Sequence, residues 1–302
     1  MNDFIALDEV RLNFSPESLT LLNIVLGFVM FGIALSLKVD SFKQVMLYPK
    51  SVILGVISQF FILPFITFLL VSVLQPHPSM ALGMLLVAAC PGGNISNFIS
   101  VLAQANTELS VSLTAIATVV AVFMTPFNIS FWASLSPLTA PLVQSVSLDA
   151  FSMFKTVFLL LGFPLLLGMF FAHRFPSITQ KIIEPIKKLS LLFFISFIVI
   201  AFYGNFDYFV QYIHLVVGLV FIHNLVALLA GYGWAKLGGL DNKDARTLSI
   251  ETGIQNAGLG LILVFSFFDG LGGMAIIAAW WGIWDIIAGL SIATWWQTNT
   301  IN

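Results

Sequence analysis

Nine apolar stretches, each close to the length of a membrane-crossing helix, run through this chain at roughly 18–37, 51–74, 80–104, 108–131, 153–172, 190–204, 212–235, 248–268 and 273–297. A span needs roughly 20 predominantly apolar residues, so 302 residues are nearly filled by nine spans and their connections. The stretches are too long for barrel strands and lack their alternation, which favours helices. Backbone groups in lipid must bond internally, and a helix does this within one segment. The expected fold is therefore an all-α polytopic membrane protein.

Composition closes off other classes. Charged residues are 9% of the chain and hydrophobic residues 59%, whereas a soluble domain is about a quarter charged. That excludes a soluble enzyme, and a net charge of −2 leaves no basic footprint for nucleic acid. The single cysteine, Cys90, rules out an intrachain disulfide and a Cys-rich metal site. Residues 1–17 carry Asp3, Asp8, Glu9 and Glu17 against Arg11, which does not read as a cleavable signal peptide.

Nine spans divide the basic residues. Ten of the twelve fall on one side: Lys38, Lys43, Lys50, Arg174, Lys181, Lys187, Lys188, Lys236, Lys243 and Arg246. Only Arg11 and Lys155 fall on the other. The basic side is expected to be cytoplasmic, with the N-terminus outside and the C-terminus inside a plasma or inner membrane. Trp295 and Trp296, near the end of the last span, fit an interfacial anchor, while Trp280 and Trp281 are expected to pack among helices.

Two spans are not plain. Span 80–104 holds Pro91-Gly92-Gly93-Asn94-Ile95-Ser96-Asn97, and span 248–268 holds Glu251-Thr252-Gly253-Ile254-Gln255-Asn256. An ionised side chain at membrane depth costs at least about 2.5 kcal/mol. Pro91 lacks an N–H and two glycines weaken the helix after it. Freed backbone is tolerated only beside protein or a watery cavity. Each odd span is second in a group of three, spans two to four and seven to nine, and the groups have opposite topology. Inverted repeats with interrupted helices are the pattern of secondary transporters.

Spacing adds oxygen donors. Ser110 and Thr114 are four apart on one helix face, as are Glu251 and Gln255 if that stretch is helical, and Gln59 lies within the second span. A hard cation such as sodium takes such ligands. Blander readings stand beside these. A Pro-Gly-Gly is often only a kink, and Ser110 and Thr114 can bond back to their own helix. Asp285 is either a site residue facing a watery cleft, to which the reading leans, or a partner for a buried polar group. His214, His223 and Asn224 are expected to make structural hydrogen bonds.

At its two breaks the chain resembles the sodium/bile acid symporter family, in Pro91–Asn97 and in Glu251–Asn256, and the likeness covers nearly the whole chain. It is similar to the nine-span members. The resemblance implies two sodium sites, one using Ser96, Asn97, Ser110, Thr114 and Glu251. The other would use Gln59, Glu251, Gln255 and the carbonyls of Thr252 and Ile254. It implies substrate near Asn94 and Asn256, with Asp285 a departure from the uncharged or histidine side chain usual at about that point. It also implies a core domain, residues 51–131 and 212–297, moving against a panel, residues 18–37 and 153–204.

The function expected is sodium-coupled symport of an amphipathic organic anion, bile-acid-like or sterol-like, by a monomer working in the lipid bilayer by alternating access. The alternatives are a proton-coupled transporter using Glu251 and Asp285, an intramembrane lipid enzyme, and a channel or receptor. No His-Glu-x-x-His or Gly-x-Ser-x-Gly supports an enzyme.

Overall fold

The computed structural model describes residues 16–35, 49–93, 95–146, 149–204 and 206–298. Among them the regular elements are helices, and the one β pairing is an isolated bridge. The helices are α1 (Pro16–Ala34), α2 (Pro49–Leu74), α3 (Pro78–Ala89), α4 (Ile95–Leu102), α5 (Thr107–Leu135), α6 (Ala140–Val146), α7 (150–174), α8 (Pro176–Gly204), α9 (Phe206–Leu237), α10 (Asn242–Gly253), α11 (Ala257–Phe267) and α12 (Gly272–Thr298).

Their starts follow local chemistry. α1, α2, α3 and α8 open on proline, which is pre-set for the first helical position and has no N–H to orphan. Asn106, Asp149, Asp241 and Asn256 cap α5, α7, α10 and α11 by accepting backbone N–H bonds from the first turn.

Among the described residues five helices are long and apolar enough to cross a membrane: α2, α5, α12 and most of α7 and α9. Shorter apolar stretches lie in α1, α3 and α11. The outer faces carry large exposed apolar side chains, Val73, Phe123 and Phe170 among them. A soluble monomer does not display apolar surface on that scale. The expected segments 80–104 and 248–268 are each split, into α3 and α4 and into α10 and α11.

Two boundaries differ from the sequence reading. The polar stretch expected as a loop before residue 190 is the first half of α8, and α10 begins at Asn242 rather than near 248. Polarity marks where lipid ends, and a helix continues past that point wherever its caps allow.

α2 and α7 each contain one wider turn, Ser58–Ile62 and Phe158–Gly162, with Pro64 and Pro164 just beyond. Proline cannot donate to the carbonyl four residues back. In α2 the amide Nδ2 of Asn128, from α5, supplies the missing bond to Phe60 O at 3.0 Å.

α3 is the centre of the bundle. Every residue from Ser79 to Ala89 is buried, in keeping with a helix that is apolar all round. It packs against α2, α5 and α12. A Cβ on Gly83 would lie 2.9 Å from Met274 Cα, so a missing side chain lets α3 and α12 approach closely. Elsewhere α1 packs on α7 and α8, while α9 packs on α10 and α12.

Candidate ion site at the crossing of two broken helices

The first interruption begins at Cys90, whose backbone is extended (φ −73°, ψ 158°), as the residue before a proline prefers. The second begins at Ile254, also extended (φ −101°, ψ 111°). The two meet as a short antiparallel pairing of Gly92 with Gln255. Gly93 N donates to Ile254 O at 2.8 Å, and Asn256 N donates to Pro91 O at 2.9 Å. A Cβ on Gly93 would sit 2.7 Å from the Gln255 carbonyl oxygen, so the approach of the two backbones requires glycine there.

Several other freed backbone groups are met by side chains. Thr125 Oγ1 donates to Ala89 O at 2.7 Å, and Gln59 Nε2 to Cys90 O at 2.9 Å. Asn224 Nδ2 donates to Gly253 O at 2.8 Å, and Gln255 Nε2 to Thr252 O at 2.7 Å. The N–H of Gln255 donates to Asp285 Oδ2 at 3.0 Å. This accounting is what lipid demands of irregular backbone.

Beside the pairing lies Glu251, 5% exposed. Its Oε1 accepts from Ser96 Oγ at 2.6 Å and Ser110 Oγ at 2.5 Å, and its Oε2 from Thr114 Oγ1 at 2.9 Å. Asn97 Oδ1 lies within reach of the same hydroxyls, 2.9 Å from Ser110 Oγ and 3.4 Å from Thr114 Oγ1. Side chains of α4, α5 and α10 thus converge on one carboxylate, and the five residues expected at a first ion site stand together. The donor set is one carboxylate, three hydroxyls and an amide oxygen, which suits a hard monovalent cation. Among the described residues no group of three His, Cys, Asp or Glu side chains is gathered.

Of the residues expected at a second site, Gln59, Gln255 and the Thr252 carbonyl meet. Gln59 Nε2 donates to Gln255 Oε1 at 2.9 Å, and Gln255 Nε2 approaches Gln59 Oε1 at 3.4 Å. Thr252 offers its carbonyl to Gln255 and its hydroxyl to Ser58 Oγ at 2.7 Å. The Ile254 carbonyl is engaged by Gly93. A Cβ on Gly92 would fall 3.2 Å from Glu251 Oε2, so the bridge runs directly over the carboxylate.

The expected substrate residues fare differently. Asn94 lies outside the described residues. Asn256 is half-buried at the crossing, and its Oδ1 caps α11 through Leu259 N at 3.0 Å. Asp285 does not take the cleft-facing position to which the sequence reading leans. It is 2% exposed, bonded to Gln255 N and 3.5 Å from Asn224 Nδ2. The sequence could not show that the break would leave an N–H at this level for a carboxylate to meet.

His223 and Asn224 make the structural bonds expected, His223 through Thr67 Oγ1 at 2.7 Å; His214 is exposed. Of the tryptophans, Trp281 is buried as expected and Trp295 is 60% exposed. Trp296, expected as an anchor, is buried against Tyr232 with the Arg246 guanidinium 5.6 Å from its ring. Ser58, Thr125 and Asn128 were not legible as site supports. Pro64 signals an orphaned carbonyl, but nothing in sequence spacing points to its donor. A cavity of 520 Å³ lined by Leu74, Gln75, His77, Leu138 and Leu215 lies at the far end of α2 and holds none of the candidate residues.

Apolar helices with two interrupted members crossing over a buried carboxylate define a multi-pass membrane transporter. The sequence pattern of the Sodium Bile acid symporter family matches residues 23–212. The chain belongs to that family. It is 32% identical over 276 residues to YocS of Bacillus subtilis, described as an uncharacterized sodium-dependent transporter, covering 91% of this chain and 83% of that protein. It is 29% identical over 247 residues to the probable sodium/metabolite cotransporter BASS1, chloroplastic, of Arabidopsis thaliana, covering 80% of this chain and 58% of that longer protein. To the human ileal sodium/bile acid cotransporter it is 28% identical over 248 residues, covering 80% of this chain and 67% of that one.

Proposed function

We propose that the protein is a sodium-coupled symporter of an amphipathic organic anion, working by alternating access. The observation that carries this reading is the Glu251 carboxylate ringed by Ser96, Ser110, Thr114 and Asn97 at the crossing. Ser96, Asn97, Ser110, Thr114 and Glu251 would hold one sodium ion. Gln59, Glu251, Gln255 and the carbonyls of Thr252 and Ile254 would hold a second. Bound sodium supplies positive charge that offsets the desolvated carboxylate and ties α4, α5 and α10 together.

The anion is supported by helix direction. α4 and α11 both begin just past the crossing, so two helix N-termini with their partial positive charge face it. Asn256 stands at one of those N-termini, and it and Asn94, the residue before α4 in the sequence, would meet the substrate. Asp285 is better read as holding the break than as touching substrate, because its carboxylate is occupied by Gln255 N. The proposed frame is nine spans in two inverted groups, with the basic end cytoplasmic. α2–α5 with α9–α12 would form the core, and α1, α7 and α8, which pack together, the panel. Two sodium ions with one monovalent anion would carry one net charge, driven by about 2.3 kcal/mol per 100 mV of membrane potential.

Uptake of radiolabelled taurocholate and of smaller carboxylates into liposomes containing the purified protein tests this. Uptake should follow an imposed sodium gradient at fixed pH. Uptake that follows a proton gradient without sodium would favour the second reading, in which Glu251 and Asp285, two buried carboxylates at one break, carry protons.

A further inference from the structure

A line of polar side chains leaves the carboxylate site along the contact between α4 and α10 and ends at the basic face. On α10, Asp244, Thr247 and Glu251 are spaced three and four apart and share one side of the helix. On α4, Ser96 and Ser100 are four apart and share another. Two hydrogen bonds give the register. Ser96 Oγ meets Glu251 Oε1 at 2.6 Å, and past the other end of α4 the Arg246 guanidinium reaches Ala103 O at 3.1 Å. The two helices therefore run antiparallel, and Ser100 lies between those two levels.

Beyond it the Thr247 hydroxyl accepts from Asn106 N at 2.9 Å. The Asp244 carboxylate, 8% exposed, accepts from Asn106 Nδ2 at 2.8 Å and from Ser51 Oγ at 2.6 Å. From Glu251 to Asp244 is two helical turns, about 10 Å.

Most of these groups satisfy one another and would serve as a clamp between α2, α5 and α10. Ser100 would not. It is fully buried, and its hydroxyl has no partner. A buried hydroxyl without a bond is unfavourable, and alanine would fill nearly the same space without it.

We infer that this seam is the route by which sodium passes between the Glu251 site and the basic face, with Ser100 as a passing ligand and Asp244 as an outer cation position. The inference rests on the sodium-coupled reading. A monovalent hard cation leaving Glu251 meets the Ser100 hydroxyl first, then the Thr247 oxygen, then a second carboxylate. Ser100 tells this apart from a clamp, since removing a hydroxyl that bonds nothing leaves the clamp intact.

The test uses the full chain in liposomes, with radioactive sodium as the probe and taurocholate as the transported anion. Ser100→Ala should slow sodium exchange across the basic face by about tenfold, the effect of ~1.4 kcal/mol on a barrier. Its half-saturating sodium concentration for thermal stabilisation should stay that of wild type, because a route residue alters rate and not equilibrium. Its melting temperature should equal or exceed wild type. Asp244→Asn should slow exchange in the same direction; if it fails to fold, Ser100→Ala still decides. Wild-type exchange by folded Ser100→Ala would make Ser100 a small packing residue and overturn the inference. No sodium exchange by wild type would instead overturn the sodium-coupled reading itself.

Discussion

The backbone N–H of Gly93 donates to the carbonyl of Ile254 at 2.8 Å, joining an interruption in the first third of the chain to one in the last. The bond gives both breaks a partner of their own kind and brings α4, α5 and α10 around Glu251. The consequences can be measured residue by residue.

Glu251→Gln should abolish sodium-dependent uptake while expression and monodispersity remain those of wild type. The amide keeps shape and can still bond hydroxyls, but it removes the only carboxylate offered to both ion positions. Sodium-driven uptake by the mutant near the wild-type level would remove Glu251 from that role.

Thr114→Ala and Gln59→Ala should each raise the sodium concentration for half-maximal uptake more than they alter substrate affinity. Each deletes one neutral oxygen donor, at a different position. The loss is on the order of 1–3 kcal/mol, the penalty for leaving a buried polar partner unsatisfied. Sodium titrations that overlay wild type for both would make these residues structural only.

Asp285→Asn should keep an acceptor for Gln255 N and so melt close to wild type. Asp285→Ala should orphan that N–H and lose stability by about 1–3 kcal/mol. Substrate affinity in Asp285→Asn should be unchanged. Melting curves and equilibrium binding on the same two proteins check this, and tighter anion binding by Asp285→Asn would return Asp285 to the substrate cavity.

Gly93→Ala should fold poorly. Its Cβ would sit 2.7 Å from the Gln255 carbonyl oxygen, and backbone on both sides leaves nothing to rotate away. Overpacking costs typically 1–3 kcal/mol, roughly, and more where the backbone itself must move. Size-exclusion profiles and melting in detergent report the outcome, and a variant that melts and transports as wild type would show that the crossing can open.

Asn128→Ala should destabilise by about 1–3 kcal/mol through the Phe60 carbonyl it leaves unbonded. Adding Pro64→Ala, which restores an N–H four residues on, should recover part of the loss. No recovery in thermal melts would mean Asn128 acts by packing alone.

Much of this was legible beforehand, for a physical reason. Lipid admits only apolar, internally bonded segments, so the apolar stretches and their polar interruptions can be read directly from residue type. Pro91, Gly92 and Gly93 announce a break because each weakens a helix by local chemistry. Ser110 and Thr114 sit on one face because helical spacing puts them there. Glu251 stands out because a carboxylate at that depth needs partners.

Partnership across the bundle was decided only by the tertiary structure. Residue spacing says that a carbonyl is freed, not which distant donor reaches it: Asn224 for Gly253, Thr125 for Ala89, Asn128 for Phe60. The same limit explains Asp285 and Trp296, which meet Asn224 and Tyr232 of α9, Arg246 of α10 and the Gln255 N–H of the break. Local chemistry acts over one turn and can be read from neighbours in the chain. A hydrogen bond between helices depends on their relative position to within a few tenths of an ångström, and that position follows from the packing of the whole bundle around α3.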